Sequence, residues 1–283
     1  SDGVKDEGCA CDFKGKSTGV CANGKKNAST GACTIKPAGY EMPETSCDSK
    51  DNDCDGTTDG WRVAGCDSTR LIGTMGAEYL SDIAIDSTGN IFVVGRTDGS
   101  IGGQTNNGSY DGFVAKYDPA GNQKWARHVG SSGRDTAKAV ALDGTGNIVV
   151  SGTAGGKIGS ASYNGGRKDG FLAKFDGSGK RQWVVFIGTS DADDAYGVVV
   201  GRSGSIYLVG SVGSGIGSQM YSGGPEDGFL AKYDASGNRK WVELIGTANR
   251  DRTNDVAADG SGNVYVAGQA GGKLGGQSFA GKR

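Results

Sequence analysis

The chain has 283 residues, including 54 glycines and 4 prolines, with 35% hydrophobic residues and a formal net charge of −2. That balance leaves no basic footprint for nucleic acid, and no apolar run approaches the ~18 residues of a membrane-spanning helix. Glycine occurs without a G-X-Y triplet, which excludes collagen.

All seven cysteines (Cys9, Cys11, Cys21, Cys33, Cys47, Cys54 and Cys66) precede residue 67. A stretch with few aliphatics cannot build a sufficient core and depends on disulfides or metal. Residues 1–60 therefore read as a Cys-rich acidic metal-binding module, and its cysteines point to an oxidising compartment. The opening SDGVKDEG has no secretory leader, which was either removed or never present. The odd cysteine count leaves one thiol free or paired outside the chain. Cys47–Cys54 and Cys21–Cys33 are the favoured pairings, though spacing does not decide connectivity. No CxxC pair supports zinc.

The sharpest motif of this module is CDSKDNDCDGTTDG, from Cys47 to Gly60. Asp51, Asp53 and Asp55 occupy positions 1, 3 and 5 of a calcium loop, with Gly56 at 6, Thr57 at 7 and Asp59 at 9. Alternate carboxylates on a tight turn converge on one hard cation, and Thr57 offers its carbonyl. Position 12 is Arg62 rather than a bidentate Glu, so Asp48 or Glu44 must supply the missing ligand. The expected cofactor is Ca²⁺.

The run Glu44-Thr45-Ser46-Cys47-Asp48, followed by Asp51-Asn52-Asp53-Cys54-Asp55-Gly56, resembles a metal-binding motif family. That family is typified by a copper-binding surface protein of methane-oxidising bacteria. Cys11, Cys21 and Cys33 fit the upstream spacing, so the resemblance covers about residues 11–60. It does not imply copper here, because hard oxygen ligands suit Ca²⁺. It does imply a cell-surface protein.

Beyond residue 60 the chain repeats. DGFVAKYD, DGFLAKFD and DGFLAKYD open at Asp111, Asp169 and Asp227. Trp125, Trp183 and Trp241 keep the same spacing, as do Gly130, Gly188 and Gly246. GNIFVVG, GNIVVSG, GSIYLVG and GNVYVAG begin at Gly89, Gly146, Gly204 and Gly262. Each unit of ~58 residues reads as four short strands: FLAKY-like, WVELI-like, DVAA-like and VYVA-like. The first alternates with period two, and the last is a continuous apolar run suited to burial on both faces. Asp, Gly and Asn at DASGN and DGSGN mark the hairpins. No segment shows a helical apolar period.

Four antiparallel strands per unit, each too thin to bury a core alone, predict an all-β fold, a β-propeller of four-stranded antiparallel blades. A solenoid of β-hairpins is the second choice. The division is a partial blade over 61–110, then 111–168, 169–226 and 227–283. The chain stops where a fourth DGF strand is due, and the first unit lacks one. It therefore reads as a fragment of a longer propeller, a small four-bladed ring, or a protomer whose open edges pair between molecules.

The segment from Trp241 to Gly268 resembles the bacterial SBBP β-propeller repeat, over roughly residues 68–283. The resemblance implies exported, surface or secreted propellers with no shared enzymatic activity and no catalytic residues to transfer.

Other residues are weighed in their repeats. His128 is the only histidine, and its counterparts Phe186 and Leu244 are apolar, which favours a structural role. Glu78, Asp135, Asp193 and Asp251 recur at one height, either as loop hydrogen-bonders or as a ring of acids facing a channel. Asp111, Asp169 and Asp227 read as turn formers. Tyr110, Tyr163, Tyr221 and Phe279 lie in long loops, as inter-blade packing or as sugar-binding shelves. Lys116, Lys174 and Lys232 read as solvated edge charges.

The expected function is a secreted or cell-surface, non-enzymatic binding or scaffold protein, calcium-stabilised, with loops for a protein or glycan ligand. A structural subunit of an extracellular fibre, a homopolymer by strand exchange, is the alternative. A carbohydrate hydrolase or lyase is the third choice. Neither nucleic acid nor a transmembrane segment is expected.

Overall fold

The structure is a computed structural model that describes residues 76–275, together with the backbone of two short strands further upstream. The chain divides into two compact units, Ser1–Leu71 and Ile72–Arg283. In the first, β1 (Trp61–Arg62) and β2 (Gly65–Cys66) pair antiparallel, Trp61 opposite Cys66.

The second unit is all β among its described residues. β3 (Glu78–Ile85), β4 (Ile91–Thr97), β5 (Asp111–Tyr117) and β6 (Gln123–Val129) form one antiparallel sheet in chain order. β7 (Thr136–Leu142), β8 (Ile148–Ala154), β9 (Asp169–Phe175) and β10 (Arg181–Ile187) form the second. β11 (Asp194–Val200), β12 (Ile206–Val212), β13 (Asp227–Tyr233) and β14 (Arg239–Ile245) form the third. β15 (Arg252–Ala258) and β16 (Val264–Gln269) pair as the described part of a fourth. The first strand of each later sheet packs on the sheet before it: β7 on β3 and β4, β11 on β7 and β8, and β15 on β11 and β12. This is the expected propeller-like repeat of four-stranded blades.

The blades have a different phase from the DGF-to-DGF unit. The DGF strand is third in its sheet, and the GN-I-F-V-V-G strand is second. β3 and β4, a partial blade in the division by DGF phrases, complete a four-stranded sheet with β5 and β6. The second and third strands carry the core because they have strand neighbours on both sides. β8 and β12 are buried along their whole length. Phe113, Phe171 and Phe229 on the third strands are fully buried.

This position also corrects the reading of three lysines. Lys116, Lys174 and Lys232 lie on interior strands, not on edges. Lys174 Nζ pairs with Asp143 at 3.0 Å, while Lys116 and Lys232 sit over the rings of Phe92 and Tyr207.

Each first strand carries a bulge opposite the glycine of the second. Ser81, Lys138, Tyr196 and Asn254 are the residues left out of the ladder. A bulge bends its strand and re-aims a side chain. It also brings the two backbones together: a Cβ on Gly152 would lie 2.1 Å from the Thr136 carbonyl oxygen. Only glycine fits there.

Candidate functional site

Each pair of neighbouring sheets meets at a seam on one rim. Three equivalent backbone bonds close the seams: Asp135 N–H to Tyr110 O at 2.9 Å, Asp193 N–H to Lys168 O at 2.9 Å, and Asp251 N–H to Glu226 O at 2.8 Å. These bonds place equivalent side chains side by side. Tyr110, Lys168 and Glu226 share one position, and Arg134, Ala192 and Arg250 a second. Thr136, Asp194 and Arg252 share a third, and Arg96, Thr153 and Ser211 a fourth.

Beneath them each seam buries two carboxyl groups. Asp111, Asp135, Asp169, Asp193, Asp227 and Asp251 are all fully buried. Asp135 accepts from Ser131 N–H at 2.7 Å and Gly155 N–H at 3.0 Å. Asp193 and Asp251 repeat this with Thr189 and Gly213, and with Thr247 and Gly271. These acids therefore tie loops together; they do not ring an open channel. Asp111, Asp169 and Asp227 each accept one loop amide, from Asn107, Asn164 and Ser222, and leave Oδ1 without a conventional donor. Asp169 and Asp193 lie side by side: a Cβ on Gly188 would come 2.7 Å from Asp169 Oδ1 and 2.8 Å from Asp193 Oδ2. Burial, with the Asp193 charge adding to it, pushes the Asp169 carboxyl up to about 7. Burial also raises Asp135, Asp193 and Asp227.

Above the buried acids the seams differ in charge. In the third, Glu226 accepts from Arg252 Nε at 2.7 Å and Ser211 Oγ at 2.8 Å, and pairs with Arg250 at 3.0 Å. In the second, Asp194 pairs with Lys138 at 2.6 Å and with Lys168, and accepts from Thr153 Oγ1 at 2.6 Å. Burial alone would raise the Asp194 carboxyl, but Lys138, Lys168 and Thr153 hold it down at about 2. The bulge residue Lys138 reaches across the seam to make this pair. In the first seam no carboxylate stands at the equivalent positions. Arg96 lies 4.7 Å and Arg134 5.7 Å from the centre of the Tyr110 ring. Both arginines, with Arg167, line a cavity of about 450 Å³ that reaches Lys138, Lys168 and Asp194. None of the three guanidinium groups is ion-paired among the described residues. The cavity is thus a cationic donor site.

Two stretches, residues 69–103 and 240–275, match the SBBP family, described as a beta-propeller repeat. The Regulatory protein FlaEY of Caulobacter vibrioides is 27% identical over 182 residues, which are 60% of this chain and 19% of that protein. The chain thus spans about a fifth of that relative's length. A protein of unknown function from Bacteroides caccae, known as a crystal structure, aligns over 57% of this chain and 48% of its own, with a TM-score of 0.36 and 10% identity.

The remaining expected sites fall in three groups. Asp48, Asp51, Asp53, Asp55, Thr57, Asp59 and Glu44 lie outside the described residues, as do the cysteine pairings and Phe279. Among the described residues, no group of three or more His, Cys, Asp or Glu is placed to hold a metal ion. Within the blades, the side chain of His128 is buried, with Nδ1 3.4 Å from Asp111 Oδ2 and Nε2 3.1 Å from Gln104 O. Tyr163 and Tyr221 donate to Gly166 O and Gly224 O of their own loops. Tyr110 stands elsewhere in its repeat and meets arginines instead. The signal that finds the first seam is the aligned column Tyr110, Lys168 and Glu226, whose charge changes from one repeat to the next.

Proposed function

We propose that this protein is a non-enzymatic repeat scaffold, exported and calcium-stabilised, that binds its ligand on the seam rim of the SBBP repeats. The observation that carries this reading is the division of charge. The paired carboxylates are fully buried and spent on loop amides. Arg96, Arg134 and Arg167 converge on the first seam, with no ion pair among the described residues. A paired-carboxylate hydrolase needs its acids against substrate, so the buried pairs speak against that alternative. Export and the calcium loop rest on the cysteines and on Asp51, Asp53, Asp55, Thr57 and Asp59. The ligand is a glycan or a protein segment. An array of glycans and peptides, read for both bound protein and released product, tests this. Binding without product is expected; turnover of a bound ligand overturns it.

The fibre reading has its own support. Leu80 and Ile83 on β3 are more than half exposed, whereas their counterparts Ala137 and Val140 are buried against the first sheet. At the other end Tyr265 on β16 is 59% exposed, where Tyr207 is 9%. Both ends of the blade array thus present faces that the inner blades bury. Sedimentation at micromolar concentration separates the readings: a monomer removes the fibre, and a concentration-dependent series of oligomers supports it.

A further inference from the structure

We infer that the first seam is an oxyanion site, which takes a carboxylate, sulfate or phosphate group borne on a ligand of about monosaccharide size. This deepens the scaffold reading by naming the ligand class of that rim. The argument comes from the protein's own repeats. The seam frame occurs three times, and each occurrence collects cationic side chains. In the third seam Glu226 neutralises Arg250 and Arg252. In the second Asp194 neutralises Lys138 and Lys168. The first seam has Tyr110 where the third has Glu226, and Thr136 where the second has Asp194. It keeps Arg134, the counterpart of Arg250, adds Arg96 where the other seams have Thr153 and Ser211, and gains Arg167 from the neighbouring loop. A carboxylate supplied from inside in two seams is missing from the third member of the set, and an external oxyanion fills the place.

The geometry suits that ligand. Guanidinium groups bind carboxylate, sulfate and phosphate in a planar, bidentate manner that a lysine does not offer. The Tyr110 ring holds the Arg96 and Arg134 guanidiniums before a ligand arrives, and a parallel bridge between Tyr110 and Arg134 fixes their backbones. Such pre-ordering lowers the entropy lost on binding. Asp194 does not compete for the arginines, because Lys138, Lys168, Thr153 and Tyr196 already occupy its oxygens. A cavity of about 450 Å³ lies within the range of small-ligand pockets.

The test uses the full chain and isothermal titration with glucuronate, sulfate and phosphate as sodium salts. Glucose and sodium chloride at matched ionic strength are the controls. Wild type should bind at least one of the three oxyanions at one site, and the strongest of the three names the group. Tyr110→Glu rebuilds the internal carboxylate of the third seam and should weaken that binding at least about tenfold. Tyr110→Phe keeps the ring and should bind as wild type. Arg134→Ala gives a second loss should the glutamate variant misfold. The inference is overturned if sodium chloride reproduces the response, if Tyr110→Glu or Arg134→Ala binds as wild type, or if no oxyanion binds. A neutral glycan or peptide held at the rim without an oxyanion would sink this inference and leave the scaffold reading standing.

Discussion

The indole N–H of Trp125 donates to the backbone oxygen of Gly177 in the neighbouring sheet at 3.1 Å. Trp183 repeats the bond to Ala235 of the following sheet at 3.2 Å. The outermost strand of one blade is thereby pinned to the β9–β10 or β13–β14 hairpin of the next. Burying an indole against a neighbour while satisfying its N–H secures both its area and its polar atom. Trp241, the third member, is 38% exposed and has no such hairpin beneath it among the described residues. The tryptophan of the repeat is therefore an inter-blade residue.

Gly179 tests this pin. It has φ of +81° and lies under the Trp125 ring, where a Cβ would come within 2.7 Å of the indole. Gly179→Ala should cost about 1–3 kcal/mol, from the left-handed backbone and the displaced ring together. Trp125→Phe should lose about 1 kcal/mol through the missing hydrogen bond, beyond its lost area. Urea unfolding measures both. An alanine variant as stable as wild type would show that the contact carries no energy.

The buried Asp169 carboxyl, beside Asp193, gives a pH dependence with a definite sign. The folded Asp169 carboxyl titrates at about 7, above its ordinary 3.8. A raised value favours folding at low pH, where the group is protonated in both states. That contribution is lost as pH rises through 7. Asp194, held at about 2, acts in the opposite sense: its contribution is present above 3.8 and is lost as pH falls towards 2. Asp169→Asn puts a neutral group of the same shape in its place, so its melting temperature should fall less than that of wild type between pH 4 and 8. Parallel curves for the two proteins would refute the raised Asp169 carboxyl.

Much of this architecture is legible in the residues. The strands of DGFLAKY and GSIYLVG type stand out because alternation and continuous apolar runs follow directly from one-sided and two-sided burial. The hairpins stand out because Asp, Gly and Asn are the residues their turns need. The phase of the blade is not legible. Any four consecutive strands of a continuous repeat satisfy the same pattern, and only the hydrogen-bonded register puts Asp111 on a third strand. The first seam is hidden for a different reason. Arg96, Tyr110 and Arg134 belong to three separate stretches and form no motif. Their meaning emerges only against Glu226 and Arg250 in the equivalent places. Asp135 and its counterparts look alike as channel acids or as loop ties until their amide donors are seen.

The hairpin aspartates should each contribute measurably. Asp143 accepts from Thr145 N–H and Asn147 N–H at 2.9 Å, accepts from the Asn147 side chain at 2.8 Å, and pairs with Lys174. Asp143→Ala removes all of these from a partly buried turn and should cost about 1–2 kcal/mol. The third sheet supplies a natural control. Its equivalent hairpin has Gly201 in place of the aspartate and keeps the same backbone bonds to Ser205 and from Gly204. The variant should therefore stay folded with the hairpin intact, which chemical denaturation and circular dichroism together would check.

Metal removal addresses the first unit. Carboxylates as dense as Asp51, Asp53, Asp55 and Asp59 repel one another unless a cation lies among them. Chelation with EGTA should lower one calorimetric transition, assigned to Ser1–Leu71, and leave that of Ile72–Arg283 in place. Asp53→Asn should reproduce the effect without chelator. Superimposable thermograms with and without EGTA would remove the calcium proposal.

The third seam offers the converse of the first. Glu226 is the internal carboxylate there, and the Arg250 and Arg252 guanidiniums stand 3.0 and 2.6 Å from it. Glu226→Ala should leave two close cations with no counter-charge and lower stability, because an ion pair broken on one side costs more than it contributed. If the seams share one logic, part of that stability returns on adding glucuronate or sulfate, and not with sodium chloride at equal ionic strength. Glu226→Gln keeps the shape and removes the charge, so it should show the same rescue with a smaller initial loss. Wild type supplies the baseline, with only its first seam free to respond. A Glu226→Ala protein whose melting temperature responds to these anions no more than wild type would show that the cations of the third seam need no counter-ion. The equivalence of the three seams would then be one of backbone frame alone.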